Sequence, residues 1–316
     1  MENIHTIYVK ELSNISEIFR EDSKLPVWLK QVILAIKKIF CVVTIKENGV
    51  CVLPYREVKH FTKIKLSLLQ KVFVRIDLPI VLSKYLDGVQ EVKEMLASSK
   101  LSFIKGEKIA NYILLEVLEY IAKMIGGEVQ KQEITILVEK KTIEIEKVIL
   151  ELATKVKRIQ IVTPNLNQFD RLENELETKF GIACTINNNK RKSLAKSKII
   201  INLNASESYI NQFNLNPYAI IIDMKQKIKI YTKTFCGIHI YDYQMKVDTI
   251  NLEENVFEVK KQYEAKLVGN SYETIRKHIE KENARIINLI GQKGIICREE
   301  YRRISQKTLD KSLELS

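Results

Sequence analysis

The chain has little of what bends, cross-links or embeds a polypeptide. Ten glycines and five prolines in 316 residues are too few for a collagenous or linker-rich protein. A long apolar run is missing as well. The best one, Val32-Ile33-Leu34-Ala35-Ile36 through Ile39-Phe40-Cys41-Val42-Val43, is broken by Lys37-Lys38 and falls short of the roughly 20 residues that a span requires. No membrane role is expected. Met1-Glu2-Asn3-Ile4-His5 has neither the basic nor the apolar region of a secretory signal. The five cysteines, Cys41, Cys51, Cys184, Cys236 and Cys297, form no CxxC and are odd in number. They read as free, buried thiols in a reducing compartment, so a cytoplasmic protein is expected. A disulfide between Cys41 and Cys51 across a hairpin is the weaker alternative. The four histidines, His5, His60, His239 and His278, are scattered without ligand spacing, and no metal site is expected.

What is present is globular. Hydrophobic residues make up 46% and charged residues 28%, enough for two domains with buried cores rather than a disordered chain. The net charge of +12 invites an anionic partner. Lysine far outnumbers arginine, however, whereas base and phosphate forks favour arginine. The joint enrichment in Lys, Ile and Asn also fits an A- and T-biased coding sequence. Nucleic-acid binding is therefore not the leading expectation.

Along the chain, Ile7-Tyr8-Val9 reads as a short strand, and Pro26 precedes a helix-period run from Val27 to Ile39. Cys41–Ile45 and Val50–Leu53 flank Asn48-Gly49, a tight hairpin signal. Helical periodicity covers Ile80 to Leu86, Val89 to Leu96 and Lys108 to Ile125. Gly126-Gly127 stops the last of these and sets the expected boundary of an N-terminal α+β domain, 1–127.

From there strand and helix alternate. The strand runs are Ile134–Val138, Arg158–Thr163, Ile182–Ile186, Lys198–Asn202 and Ala219–Asp223. Helices lie between the first two, with Val148 and Leu152 on one face, and again between Asn167, a candidate cap, and Gly181. Uninterrupted branched runs mean strands buried on both faces, hence a doubly wound, mostly parallel sheet in an α/β domain, 128–250. Ile228–Tyr231 and Ile238–Tyr241 add strand-like alternation. The rest, 251–316, reads as a C-terminal helical segment: Asn270 with Glu273 forms a cap, and Ile275, Ile279, Ile286, Ile287 and Ile290 keep helical spacing.

The order from Ile134 to about Tyr243 resembles the Rossmann-like NAD(P)-binding domain of the shikimate dehydrogenase and glutamyl-tRNA reductase type. The likeness is carried by strand, long helix, Ile159-Gln160-Ile161-Val162-Thr163-Pro164-Asn165, a helix ending at Gly181, and Ile199-Ile200-Ile201-Asn202. It covers about a third of the chain and is a pattern of elements. It implies an N-terminal substrate domain, an NAD or NADP cofactor, and a C-terminal helix returning to the first domain. The phosphate fingerprint is missing. Such enzymes place G-x-G-x-x-G after the first strand so that bare backbone approaches the pyrophosphate. Here the turn reads Glu139-Lys140-Lys141-Thr142-Ile143-Glu144, with a Cβ on every residue. The Glu139 carboxylate near a pyrophosphate adds repulsion of about 1 kcal/mol even in water. The resemblance thus describes a degenerate nucleotide-binding fold, and no cofactor is expected. If one binds, Lys141, Thr142, Asn165 and Asn202 are its contacts.

Catalytic candidates are sparse. Lys84 and Asp87, after Asp77-Leu78-Pro79, are the nearest Lys/Asp pair, although i, i+3 spacing also suits an exposed helix pair. His239 shares one face of an extended segment with Tyr241 and Tyr243 and could do acid/base work. Lys190, Arg191 and Lys192 follow the third strand, where α/β sheets bind ligands, and form a candidate anion site. The leading reading is a non-catalytic or regulatory protein that binds a protein partner, a second copy of itself or an anionic small molecule. The alternatives are an NAD(P)-dependent oxidoreductase with an atypical turn and a basic nucleic-acid-binding protein. The oxidoreductase needs an open crevice with free backbone N–H groups. The binding protein predicts a filled crevice and an apolar patch elsewhere.

Overall fold

The computed structural model describes residues 5–19, 24–46, 48–57, 63–74, 78–98, 102–250 and 252–313. They divide into two compact units, Met1–Gly106 with Thr249–Val268 and Glu107–Asp248 with Gly269–Ser316. The division falls at Gly106, ahead of the Gly126-Gly127 helix stop.

In the first unit β1 (Ile7–Lys10) is followed by α1 (Val27–Phe40), β2 (Thr44–Ile45), β3 (Val50–Val52), α2 (Lys63–Val74), β4 (Ile80–Leu82), α3 (Lys84–Gly88) and α4 (Gln90–Ser98). The sheet order is β2-β3-β1-β4, parallel on both sides of β1, with β2 antiparallel to β3. The β2–β3 hairpin turns through Gly49 at φ 79°, as Asn48-Gly49 predicts. Ile80 to Leu82 is a strand and not the start of a helix. A short apolar run has no length over which helical period can show, and here β1 offers it a parallel edge. Cys41, Cys51 and Cys184 are buried free thiols, whereas Cys236 and Cys297 are exposed, against the expectation of buried thiols throughout.

Helix α1 has an inverted face. None of its residues is fully buried, and Trp28, Val32, Ile36 and Ile39 are exposed in a stripe at helical spacing. Its lysines turn to the unit instead: Lys37 Nζ donates to Thr44 Oγ1 at 2.8 Å, and Lys30 Nζ lies 5.7 Å from the Phe19 ring centroid.

The second unit opens with a single 3-10 turn, Lys108–Asn111, and α5 (Leu114–Ile125), not with one continuous helix from Lys108. It continues through β5 (Glu133–Leu137), α6 (Ile143–Ala153), β6 (Arg158–Val162), α7 (Asp170–Phe180), β7 (Ala183–Asn187), β8 (Ile199–Asn202), α8 (Glu207–Ile210), β9 (Ile220–Ile222) and β10 (Ile238–Lys246). The chain then visits the first unit with α9 (Val259–Leu267) and returns with α10 (Tyr272–Lys281), β11 (Arg285–Gly291), β12 (Gly294–Ile295) and α11 (Arg298–Leu313).

The eight strands lie in the order β12-β11-β10-β9-β8-β5-β6-β7. From β7 to β10 every pairing is parallel. Numbered from β5, these six strands run 3-2-1-4-5-6, the doubly wound order of dinucleotide-binding sheets, with its switch point between β5 and β8. The scaffold is Rossmann-like. Ile136, Ile161, Ile200, Ile201 and Ile221 are wholly inaccessible, as strands covered on both faces require.

Several local expectations give way. Phe169, without a side-chain cap, stands at the N-cap of α7, not Asn167. Ser271, accepting from Thr274 N at 3.3 Å, caps α10 in place of Asn270. Residues 228–231 form no strand, and Ile286, Ile287 and Ile290 lie in β11, not in a helix. Tertiary context explains the last: β10 leaves a sheet edge that β11 closes antiparallel.

A buried charge cluster ties α10 to α5 and α6. The Arg276 guanidinium donates to both Glu116 oxygens at 2.9 Å and pairs with Glu151, which also accepts from the Tyr272 hydroxyl. Burial opposes the Arg276 charge, but these carboxylates outweigh it and hold the group above its ordinary range. Arg276→Ala leaves two buried carboxylates without their cation and should cost about 3–5 kcal/mol of unfolding free energy in urea. The exposed Trp28→Ser should stay within about 0.5 kcal/mol of wild type in the same measurement.

Candidate functional site

Ligands of doubly wound sheets bind beyond the carboxyl ends of the strands at the switch point. Here that place is built from the ends of β5, β8 and β9, and the chain's own groups occupy it. The Asn204 side chain spans the turn after β5. Its Oδ1 accepts from Glu139 N at 2.8 Å and from Lys140 N at 3.4 Å, and its Nδ2 donates to Lys140 O at 2.7 Å. Backbone N–H groups that a pyrophosphate would need are thereby satisfied within the protein. Asn165 Nδ2 closes the other side by donating to Glu139 O at 2.8 Å. The Glu139 carboxylate accepts from the hydroxyl of Ser206 at 2.6 Å and from its N–H at 3.2 Å.

The N-terminus of α6 carries one side-chain cap. Thr142 Oγ1 accepts from Ile145 N at 3.2 Å, and Glu144 and Glu146 stand in the first turn, where they answer the helix dipole themselves. Lys141 pairs with Glu146 at 3.0 Å. Asn202 is buried: it accepts from Ala205 N at 2.7 Å and donates to Asp223 Oδ1 at 3.0 Å. Ala110, Asn111 and Leu114 pack over the ends of β8 and β9, leaving about 10 Å³ beside Asn202, Ile222 and Lys225. That is room for one water. Lys141, Thr142, Asn165 and Asn202 therefore do gather around the crevice, but each serves the fold, and the residues present do not fit an NAD(P) pyrophosphate.

The remaining candidates separate. Lys84 Nζ donates to Glu254 O at 2.8 Å, while Asp87 pairs with the buried Lys261 at 3.0 Å, so no Lys84–Asp87 couple forms. Asp77 lies outside the described residues. Lys190, Arg191 and Lys192 are exposed on a turn organised by Asn189, whose Oδ1 accepts from Arg191 N and Lys192 N at 3.1 Å each.

His239 falls in a different setting. An open groove of about 690 Å³ is lined by the 229–237 loop, the start of β10, the β11–β12 turn and α11. The His239 and Tyr241 rings lie against each other in its β10 wall, tilted by 33° with centroids 4.1 Å apart. Behind them lies Asp223, fully buried, with one oxygen 2.6 Å from Ile228 N and 3.5 Å from His239 Nε2. At that distance the carboxylate acts on the imidazole as a charge, and the ring nitrogen makes no hydrogen bond. Burial, and then the Asp223 charge, raise the Tyr241 phenol above its ordinary value. Tyr243 does not join this face: a register shift between Ile240 and Asp242 intervenes, and Tyr243 is buried in the core. The groove's basic rim, Lys229, Lys293, Arg303 and Lys307, was missed by the sequence reading. Gly291-Gln292-Lys293-Gly294 between branched runs was the available signal, since it is a hairpin pattern.

No family model matches the chain, and no curated protein matches it. Solved structures similar to it include L-tryptophan dehydrogenase from Nostoc punctiforme, at 10% identity, over 98% of this chain and 89% of that chain, TM-score 0.35. Shikimate 5-dehydrogenase from Listeria monocytogenes matches at 13% identity, over 71% and 79%, TM-score 0.28. Ornithine carbamoyltransferase from Pyrococcus furiosus matches at 8% identity, over 70% and 72%, TM-score 0.27. The fold assignment rests on strand order and connectivity.

Gly237 sets the floor of the groove, because a Cβ there would stand 2.1 Å from Ala219 O and 2.8 Å from the Phe235 ring. Gly237→Ala should destabilise the protein by about 1–3 kcal/mol through forced separation of β9 and β10. Gly88, with nothing within 4 Å of its added Cβ, is the control, and thermal denaturation of both variants makes the comparison.

Proposed function

We propose that this chain is a binding protein on a Rossmann-like scaffold that no longer takes a dinucleotide at its switch point. It works by holding an anionic small molecule or a protein partner. The observation that carries this reading is the capture of Glu139 N and Lys140 N by Asn204. A dinucleotide is met there by free backbone donors at a helix N-terminus, and these two donors would first have to be released from their internal bonds.

Two further features support it. The apolar stripe of α1 at Trp28, Val32, Ile36 and Ile39 is the kind of exposed surface that association uses. The groove around His239 offers an anion several lysines and an arginine. The oxidoreductase alternative has the strand order in its favour, and the basic turn at Lys190 to Lys192 brings a nucleic acid only exposed lysines and one arginine.

The test is calorimetric titration with NADH and NADPH beside a thermal-shift control. No binding at millimolar cofactor is expected. Binding tighter than about 100 μM, lost on Thr142→Ala or Asn165→Ala, would overturn the reading and restore the dinucleotide site.

A further inference from the structure

We infer that the groove beside His239 and Tyr241 is a binding site for a small aromatic phosphate, a single ring system carrying one phosphate group. This deepens the binding-protein reading, on which it rests, by naming the ligand class. About 690 Å³ lies within the roughly 300–1,000 Å³ of small-molecule sites. The walls are of two kinds. One is aromatic: Tyr241, half-buried and backed by the nearly buried His239 ring, and Tyr218, whose ring takes the Lys307 ammonium 5.3 Å from its centroid. The other is a basic rim, with exposed Lys293 on the β11–β12 turn and exposed Arg303 on α11.

The charge balance fixes the sign of the ligand. Four basic side chains line the groove against one carboxylate, Glu300. That carboxylate is already engaged, accepting from Cys297 N at 3.0 Å. A phosphate carries enough negative charge to meet such a rim, and arginine presents the fork that suits its oxygens. The aromatic faces supply stacking, worth roughly 1–3 kcal/mol per ring in nucleotide sites. The loop that forms the outer wall is held independently of any ligand. Glu207 accepts from Lys229 N at 2.9 Å and from the Tyr231 hydroxyl, and Asn211 bonds Lys229 O and Tyr231 N at 2.8 and 2.9 Å. The site is thus preformed, which removes an ordering cost from binding.

Isothermal titration of the full chain with AMP and with phenyl phosphate tests this, beside adenosine and inorganic phosphate alone. Both aromatic phosphates should bind, and each half-molecule should bind at least about tenfold more weakly, a loss of 1.4 kcal/mol or more. The double variant Lys293→Ala/Arg303→Ala, exposed at both positions, should weaken AMP at least about tenfold with an unchanged melting temperature. Lys190→Ala should leave it unaltered. No binding of either aromatic phosphate at millimolar concentration overturns the assignment, as does binding indifferent to the double variant. A single-stranded oligonucleotide that outcompetes AMP through the same two residues overturns the small-molecule source. NADH binding that depends on Thr142 or Asn165 overturns the switch-point reading instead, and that outcome is read separately from the groove variants.

Discussion

The hydrogen bonds from one amide, that of Asn204, hold the turn after β5 at the point where the sheet's connectivity reverses. A doubly wound sheet directs the carboxyl ends of its strands and the N-termini of its helices to one place, and whatever fills that place inherits a set of oriented donors. In this chain several of these donors are met from inside: Asn204 takes two backbone N–H groups, Thr142 caps α6, and Glu139 accepts from the N–H of Ser206, the cap of α8. The carboxylate that would repel a pyrophosphate is the one that Ser206 requires.

An accessible recess lies where the sheet departs from its parallel plan. Adding β11 antiparallel to β10, and β12 antiparallel to β11, brings a hairpin turn and α11 beside the start of β10. Two glycines make this geometry possible for different reasons. Gly237 lets the chain pass against Ala219 O, and Gly294, at φ 109°, closes the β11–β12 turn in a conformation that side chains resist. The register shift after Ile240 then turns Tyr243 into the core while His239 and Tyr241 stay at the groove. A strand kept in strict alternation would have placed all three on one face.

Much of the second unit was legible from the sequence because its signals are strong and local. The runs Ile134–Val138 and Lys198–Asn202 admit few alternatives to buried parallel strands, and Gly181 marks the end of α7 at φ 63°. The absence of glycine in Glu139–Glu144 marked the turn as unlike the phosphate fingerprint, but nothing in it named Asn204, which stands 65 residues further on. The run Ile286–Ile290 fits period 3.6 and period 2 alike, and only the free edge of β10 resolves it. Unit membership was not legible for the same reason. Nothing local in Thr249–Val268 says that it belongs with the first hundred residues.

That exchange of chain between units is enforced by buried cations on both sides. In the first unit Lys10, nearly inaccessible, pairs with Glu253 at 2.6 Å and Glu17 at 2.9 Å, and Lys261 on α9 pairs with Asp87 at 3.0 Å. In the second, Arg276 on α10 meets Glu116 and Glu151. Apolar contacts alone are tolerant of a shifted helix, since a displaced Leu or Ile finds other apolar neighbours. A buried ammonium or guanidinium is not tolerant, because a displacement of a few ångströms leaves it desolvated and unpaired. Placing one such cation on each of the helices that flank Gly269, Lys261 before it and Arg276 after it, discriminates against either helix docking on the wrong unit. The specificity comes from the cost of the mistake more than from the strength of the correct pair.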